Sequence, residues 1–140
     1  MNRGQLPLCA TDPNTVELPV ATYTKIEAPD IHDDALVAQY GLPVLGFVWE
    51  RTTTGKAPLA NATVTAKDPT RAKVVYLDLA NGNLVKTTGT ATTAAGVYLV
   101  YSNGISAVTI TAPAHTSQRI FVGGGGGSFD ATALAVLAPQ

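Results

Sequence analysis

Any chemistry in this chain has to be built from few parts. The histidines are His32 and His115, the only cysteine is Cys9, and the ten acids are dispersed. His32 stands beside Asp33 and Asp34, a grouping that a zinc site can use. Acids in the first turn of a helix are, however, already explained by the helix dipole, so no metal is expected. His115 lies far away without a flanking ligand pattern and is expected in an exposed turn. Cys9 has no base nearby, and no Gly-x-Ser-x-Gly elbow occurs to present an activated serine. Glu50, Asp68, Asp78 and Asp130 fall near the ends of extended segments, whereas sugar hydrolysis needs two carboxyls facing each other across a cleft. These residues point away from catalysis, and no cofactor is implied.

The run Gly123–Gly127 raises a different possibility. A phosphate cradle sets the anion on helix N-terminal amides, and its P-loop form adds a lysine followed by serine or threonine. Ser128 follows the glycines here, but no lysine is near. Only 13 residues come after the run, too few for a second domain, so an inter-domain linker is not expected. The residues after it alternate Phe129, Ala131, Ala133 and Ala135 with Thr132, Leu134 and Val136. That pattern suits a strand buried on both faces or a short alanine-rich helix, and periodicity does not separate the two.

Binding surfaces are constrained as well. With 14% charged residues, a net charge of −1 and scattered lysines and arginines, no basic stripe exists to neutralise phosphates, so nucleic acid is not an expected partner. A glycan is possible, because Trp49, Tyr76, Tyr98, Tyr101 and Phe121 supply rings that can stack on a sugar. Trp49, Tyr98 and Phe121 lie inside strand patterns and are assigned to the core. Tyr101, at a strand end before Ser102-Asn103-Gly104, is expected to be exposed and, with Gly125, to be a loop contact. Asn61-Ala62-Thr63 is a glycosylation sequon.

The elements that would position these residues follow from composition and punctuation. The chain of 140 residues with 46% hydrophobic content fits one domain with a core, and abundant Thr, Ala, Val and Gly with nine prolines favours short strands. The expected class is all-β. Residues 1–29, broken by Pro7, Pro13, Pro19 and Pro29, read as an extended N-terminal arm. Its alternating Val16, Leu18 and Val20, followed by Tyr23 and Ile26, form a partner-binding strip, while Pro19 keeps it out of a central strand. Residues 30–41 read as one short helix with Asp30 as N-cap, Asp33 and Asp34 in the first turn and Gly41 at the C-terminal turn. Ile31, Leu36 and Tyr40 give it a docking stripe, since so short a helix is marginal alone. Residues 42–140 break into about seven or eight strands, as in a sandwich or barrel. No window approaches a membrane span, and the start lacks an apolar segment of signal-peptide length.

The stretch Leu45–Ala66 then resembles the carboxypeptidase regulatory-like domains, the prealbumin (transthyretin)-like β-sandwiches. Gly46, Val48, Thr54, Gly55, Pro58, Leu59, Ala62 and Val64 match the family's opening run, and Gly96, Tyr98, Ala112 and Pro113 match its second half. The family's Asp before Gly-x-Tyr is missing, and Ala114 and His115 replace its Gly-aromatic pair. The resemblance implies an Ig-like or prealbumin-like sandwich in which the glycine run is a loop before a closing strand. It also implies an appended folding, binding or spacer module without catalysis. The expectation is a non-enzymatic structural or interaction protein whose arm docks on neighbouring subunits. Low charge and a free cysteine suit a phage virion component, such as a capsid decoration or tail-associated protein, assembled in the host cytoplasm. The alternative is a secreted or cell-surface accessory or filament subunit that binds glycan or protein through its loops.

Overall fold

The computed structural model describes residues 33–123 and 132–140 of the chain. Among these residues one helix and nine strands follow in order: α1 (Asp34–Tyr40), β1 (Pro43–Thr52), β2 (Gly55–Pro58), β3 (Thr63–Ala66), β4 (Ala72–Ala80), β5 (Asn83–Lys86), β6 (Val97–Ser102), β7 (Ile105–Thr111), β8 (Gln118–Gly123) and β9 (Thr132–Leu137). The strands form two sheets. The larger runs β2-β1-β6-β4-β5, with β9 added on β1, and the smaller runs β3-β7-β8. All pairs are antiparallel except β1 with β9, which run parallel. The all-β, sandwich-like expectation therefore holds, with nine strands rather than seven or eight. One of them, β2, is only four residues long and pairs with the end of β1.

Turn chemistry accounts for the tightest connection. Ala80 pairs with Asn83, and the two loop residues Asn81 and Gly82 both have positive φ, +52° and +76°. Asparagine and glycine are the residues that tolerate this pair of conformations, so Asn81-Gly82 sets the β4–β5 hairpin register. The segment after the glycine run settles as a strand. Ala133, Ala135 and Leu137 of β9 face the core between the sheets, while Leu134 packs on the opposite side.

The core between the sheets joins Val48, Tyr76, Tyr98 and Val100 of the larger sheet to Val64, Val108, Ile110 and Val122 of the smaller one. Burying such side chains is the main favourable contribution to the fold, about 1.5–3 kcal/mol for each large one. Tyr98 reaches across the strand pair and lies over Gly46, its register partner, in the space a side chain would take. Gly96, at φ +67°, lets the chain enter β6 under β1; a Cβ there would meet the Val48 carbonyl oxygen at 2.5 Å.

Two side chains tie off the free edge of β3. The Tyr76 hydroxyl receives the Val64 N–H at 2.8 Å and donates toward the Val64 carbonyl at 3.4 Å. Buried Thr92 does the same one pleat earlier, exchanging backbone hydrogen bonds with Asn61 and Ala62. Its hydroxyl accepts from the Ala62 N–H at 2.9 Å and donates to the Leu59 carbonyl at 2.7 Å. Sheet edges invite pairing with other chains, and these contacts close this one.

Candidate functional site

Side chains alternate across a strand, so the larger sheet has a second apolar face, turned away from β3-β7-β8. Leu45, Phe47 and Trp49 of β1, Leu77 of β4, Leu99 of β6 and Leu134 of β9 lie on it. A face of this kind needs a cover. Helix α1 supplies part of one, packing Leu36, Val37 and Tyr40 onto it, mainly over β6 and β4. The expected docking residues Leu36 and Tyr40 are therefore brought to the sheet of their own domain.

Seven residues do not make a stable helix in water, so α1 depends on its ends and its packing. Its N-cap is Asp33, not the expected Asp30, which lies outside the described residues. Asp33 Oδ1 accepts the Leu36 N–H at 3.2 Å, and Oδ2 accepts from Lys86 Nζ at 3.1 Å. The Lys86 hydrogen bond, and then the capping bond, hold the Asp33 carboxyl below its ordinary range. At the other end Gly41 donates to the Val37 carbonyl at 2.9 Å with φ +115°. A Cβ on Gly41 would stand 2.6 Å from the Ser102 carbonyl oxygen, so the exit from α1 passes hard against the end of β6.

Three aromatic side chains sit elsewhere than their strand patterns suggest. Tyr101, expected at an exposed strand end, is fully buried on this second face. Burial, and then the charge of Asp33, push its phenol up to about 12. The reason is the cover, which a strand pattern does not reveal. Phe121, expected in the core, is 70% exposed on the outer side of the smaller sheet, because Ile120 and Val122 take the inward positions of β8. The Arg119 guanidinium carbon stands 5.6 Å from its ring centroid. Trp49 is half-buried on the second face rather than between the sheets, and its indole N–H is enclosed without an acceptor among the described residues. The other expected contacts, Val16, Leu18, Val20, Tyr23, Ile26, Ile31 and Gly125, lie outside the described residues, as do Cys9, His32 and Asp130.

His115 is no free turn residue. Its Nε2 is 2.8 Å from Glu50 Oε2 and its Nδ1 is 2.7 Å from the Pro113 carbonyl, two acceptors that a doubly protonated ring satisfies together. The Pro113 carbonyl first, and Glu50 second, raise its pKa above the ordinary histidine value. The same turn bridges to Pro139, while Thr116 N–H bonds Ala138 and Gln140 N–H bonds Ala114. His115 and Glu50, 65 residues apart in sequence, join this clasp to β1, a meeting that no local motif announces. A raised histidine pKa stabilises fully below the unfolded value and loses that contribution as pH rises through the folded one. Unfolding midpoints should therefore fall across that window, and His115→Gln should flatten the slope. An unchanged slope in the variant would remove His115 from the clasp.

A shallow third feature is the groove of about 640 Å³ between β3 and the start of β4, lined by Val64, Pro69, Val74, Tyr76 and Thr88. Among the described residues no group of three His, Cys, Asp or Glu side chains is placed to hold a metal ion. No helix among them is long and apolar enough to cross a membrane. No protein-family model matches the chain, and no curated protein matches it either.

Proposed function

We propose that the chain is a non-enzymatic structural subunit, a prealbumin-like β-sandwich whose N-terminal arm docks on neighbouring subunits of a larger assembly. The observation that carries this reading is the second apolar face of the larger sheet, with the root of the arm fixed on it by α1. A sandwich needs one core between its sheets, and a further apolar face marks a place where additional chain packs. The prealbumin-like part of the proposal is supported by Gly46 beneath Tyr98 and by the positive φ of Gly96, two glycines of the resembling run. The more specific reading, a phage virion component such as a capsid decoration or tail-associated protein, rests on the pairing of an arm with a sandwich of low charge.

Light scattering of the full chain at rising concentration tests the assembly. A defined oligomer is expected at high concentration, by mass action, and Leu18→Asp with Val20→Asp should leave a monomer. A full chain that stays monomeric at every concentration would remove self-assembly from the reading.

A second reading is favoured by one observation. Phe121 under Arg119, diagonal in register to Ile105 at 68% exposure, gives the smaller sheet an exposed apolar spot. An accessory or filament subunit at a cell surface would use such a spot to bind glycan or protein.

A further inference from the structure

The second face of the larger sheet has a charge pattern as well as an apolar centre. Strand alternation puts Arg51 of β1, Lys56 of β2, Lys73 of β4 and Lys86 of β5 on the same side as Phe47, Leu77 and Leu84. None of the strand positions on that side is acidic. Arg51 and Lys56 are direct register partners, and like charges placed opposite each other in a sheet repel. A rim of this kind selects an anionic cover.

The chain contains one. Residues 1–34 hold six acids and two bases, whereas residues 35–140 hold seven bases and four acids. Within residues 12–32 the acids Asp12, Glu17, Glu27 and Asp30 stand among Val16, Leu18, Val20, Tyr23 and Ile26, with Lys25 as the one base. Asp33, the next residue, is already at the face and already paired with Lys86 there.

We propose that residues 12–32 take the second face of the larger sheet as their seat, and that in the free subunit each chain's own arm occupies it. Three further observations converge on this. Leu45 and Phe47, on the β1 side of the face, are 1% and 7% exposed, although α1 packs mainly over β6 and β4. The enclosed Trp49 N–H needs an acceptor, which a backbone carbonyl laid across β1 supplies. The arm leaves from the face itself, so its effective concentration there far exceeds that of a neighbour's arm. The inference deepens the assembly reading: docking on a neighbour then requires the arm to leave its own seat, so assembly proceeds by exchange of identical arms.

The full chain tests this directly. Zero-length carbodiimide coupling, followed by peptide mapping, should join arm carboxylates to Lys56, Lys73 or Lys86. A mixture of isotope-labelled and unlabelled chains, kept dilute, should give links within one chain only. Trp49 is the sole tryptophan and sits on the face, so its emission reports the cover. Removal of residues 1–32 should shift the emission to the red, and a peptide of residues 12–32 added to that variant should reverse the shift. Because removal can also loosen the domain, Leu18→Asp in the full chain provides a second reading, with the same red shift expected. Links to Lys67 alone, mixed-label links in dilute solution, or Trp49 emission indifferent to both changes would overturn the proposal. An arm that couples to its own face in a chain that never oligomerises would retire the assembly reading and leave this one standing.

Discussion

Gly46→Ala should destabilise the domain by about 3 kcal/mol, near the upper end of what overpacking a core costs. A Cβ at Gly46 would overlap Cζ, Cε1 and Cε2 of the Tyr98 ring. Tyr98 has little room to yield. It is fully buried, its hydroxyl is enclosed without a partner among the described residues, and burial drives its phenol pKa far above the ordinary value. Urea titration should show a lower midpoint with an unchanged slope, the mark of lost stability without a changed unfolded state. The same glycine substitution in a Tyr98→Leu background should cost much less, because the two residues share one space and their effects do not add. A loss below about 0.5 kcal/mol, typical of a surface change, would mean that the ring does not lie over Gly46.

Thr92→Val should cost about as much, roughly 3 kcal/mol, although it preserves shape. The hydroxyl it removes accepts from the Ala62 N–H and donates to the Leu59 carbonyl, both at buried positions. Each polar group left buried and unsatisfied costs about 1–3 kcal/mol, and the substitution strands two. Thr92→Ser keeps the hydroxyl and gives up one methyl group, so it should lose only about 1 kcal/mol. Equal losses for the two variants would indicate that packing, not hydrogen bonding, fixes Thr92. Exposure of the β3 edge in the valine variant should also appear as faster amide exchange at Ala62 and Val64.

Much of the framework was legible in the order of residues. Abundant Thr, Ala, Val and Gly announced short strands over residues 42–140, and nine are there; Asn81-Gly82 is the dipeptide that the two-residue β4–β5 loop requires. These are local properties, fixed by neighbours one to four positions away. Gly46 and Gly96 were also marked, though only as parts of a resembling run. Their physical reasons, a ring over one and a left-handed backbone at the other, are tertiary.

Residue order also fixed the charge split, an acidic N-terminal segment ahead of a basic body, and the alternation that gives each strand two faces. It did not say what covers each face. Tyr101 and Phe121 both sit in strands, yet one is fully buried and the other 70% exposed, because α1 packs onto the face that carries Tyr101 and nothing described covers the side that carries Phe121. Only the tertiary structure decided that, along with the meeting of Glu50 with His115 and of Ala62 with Thr92. Such contacts depend on where distant segments return after folding, and a pattern of near neighbours carries no record of that distance.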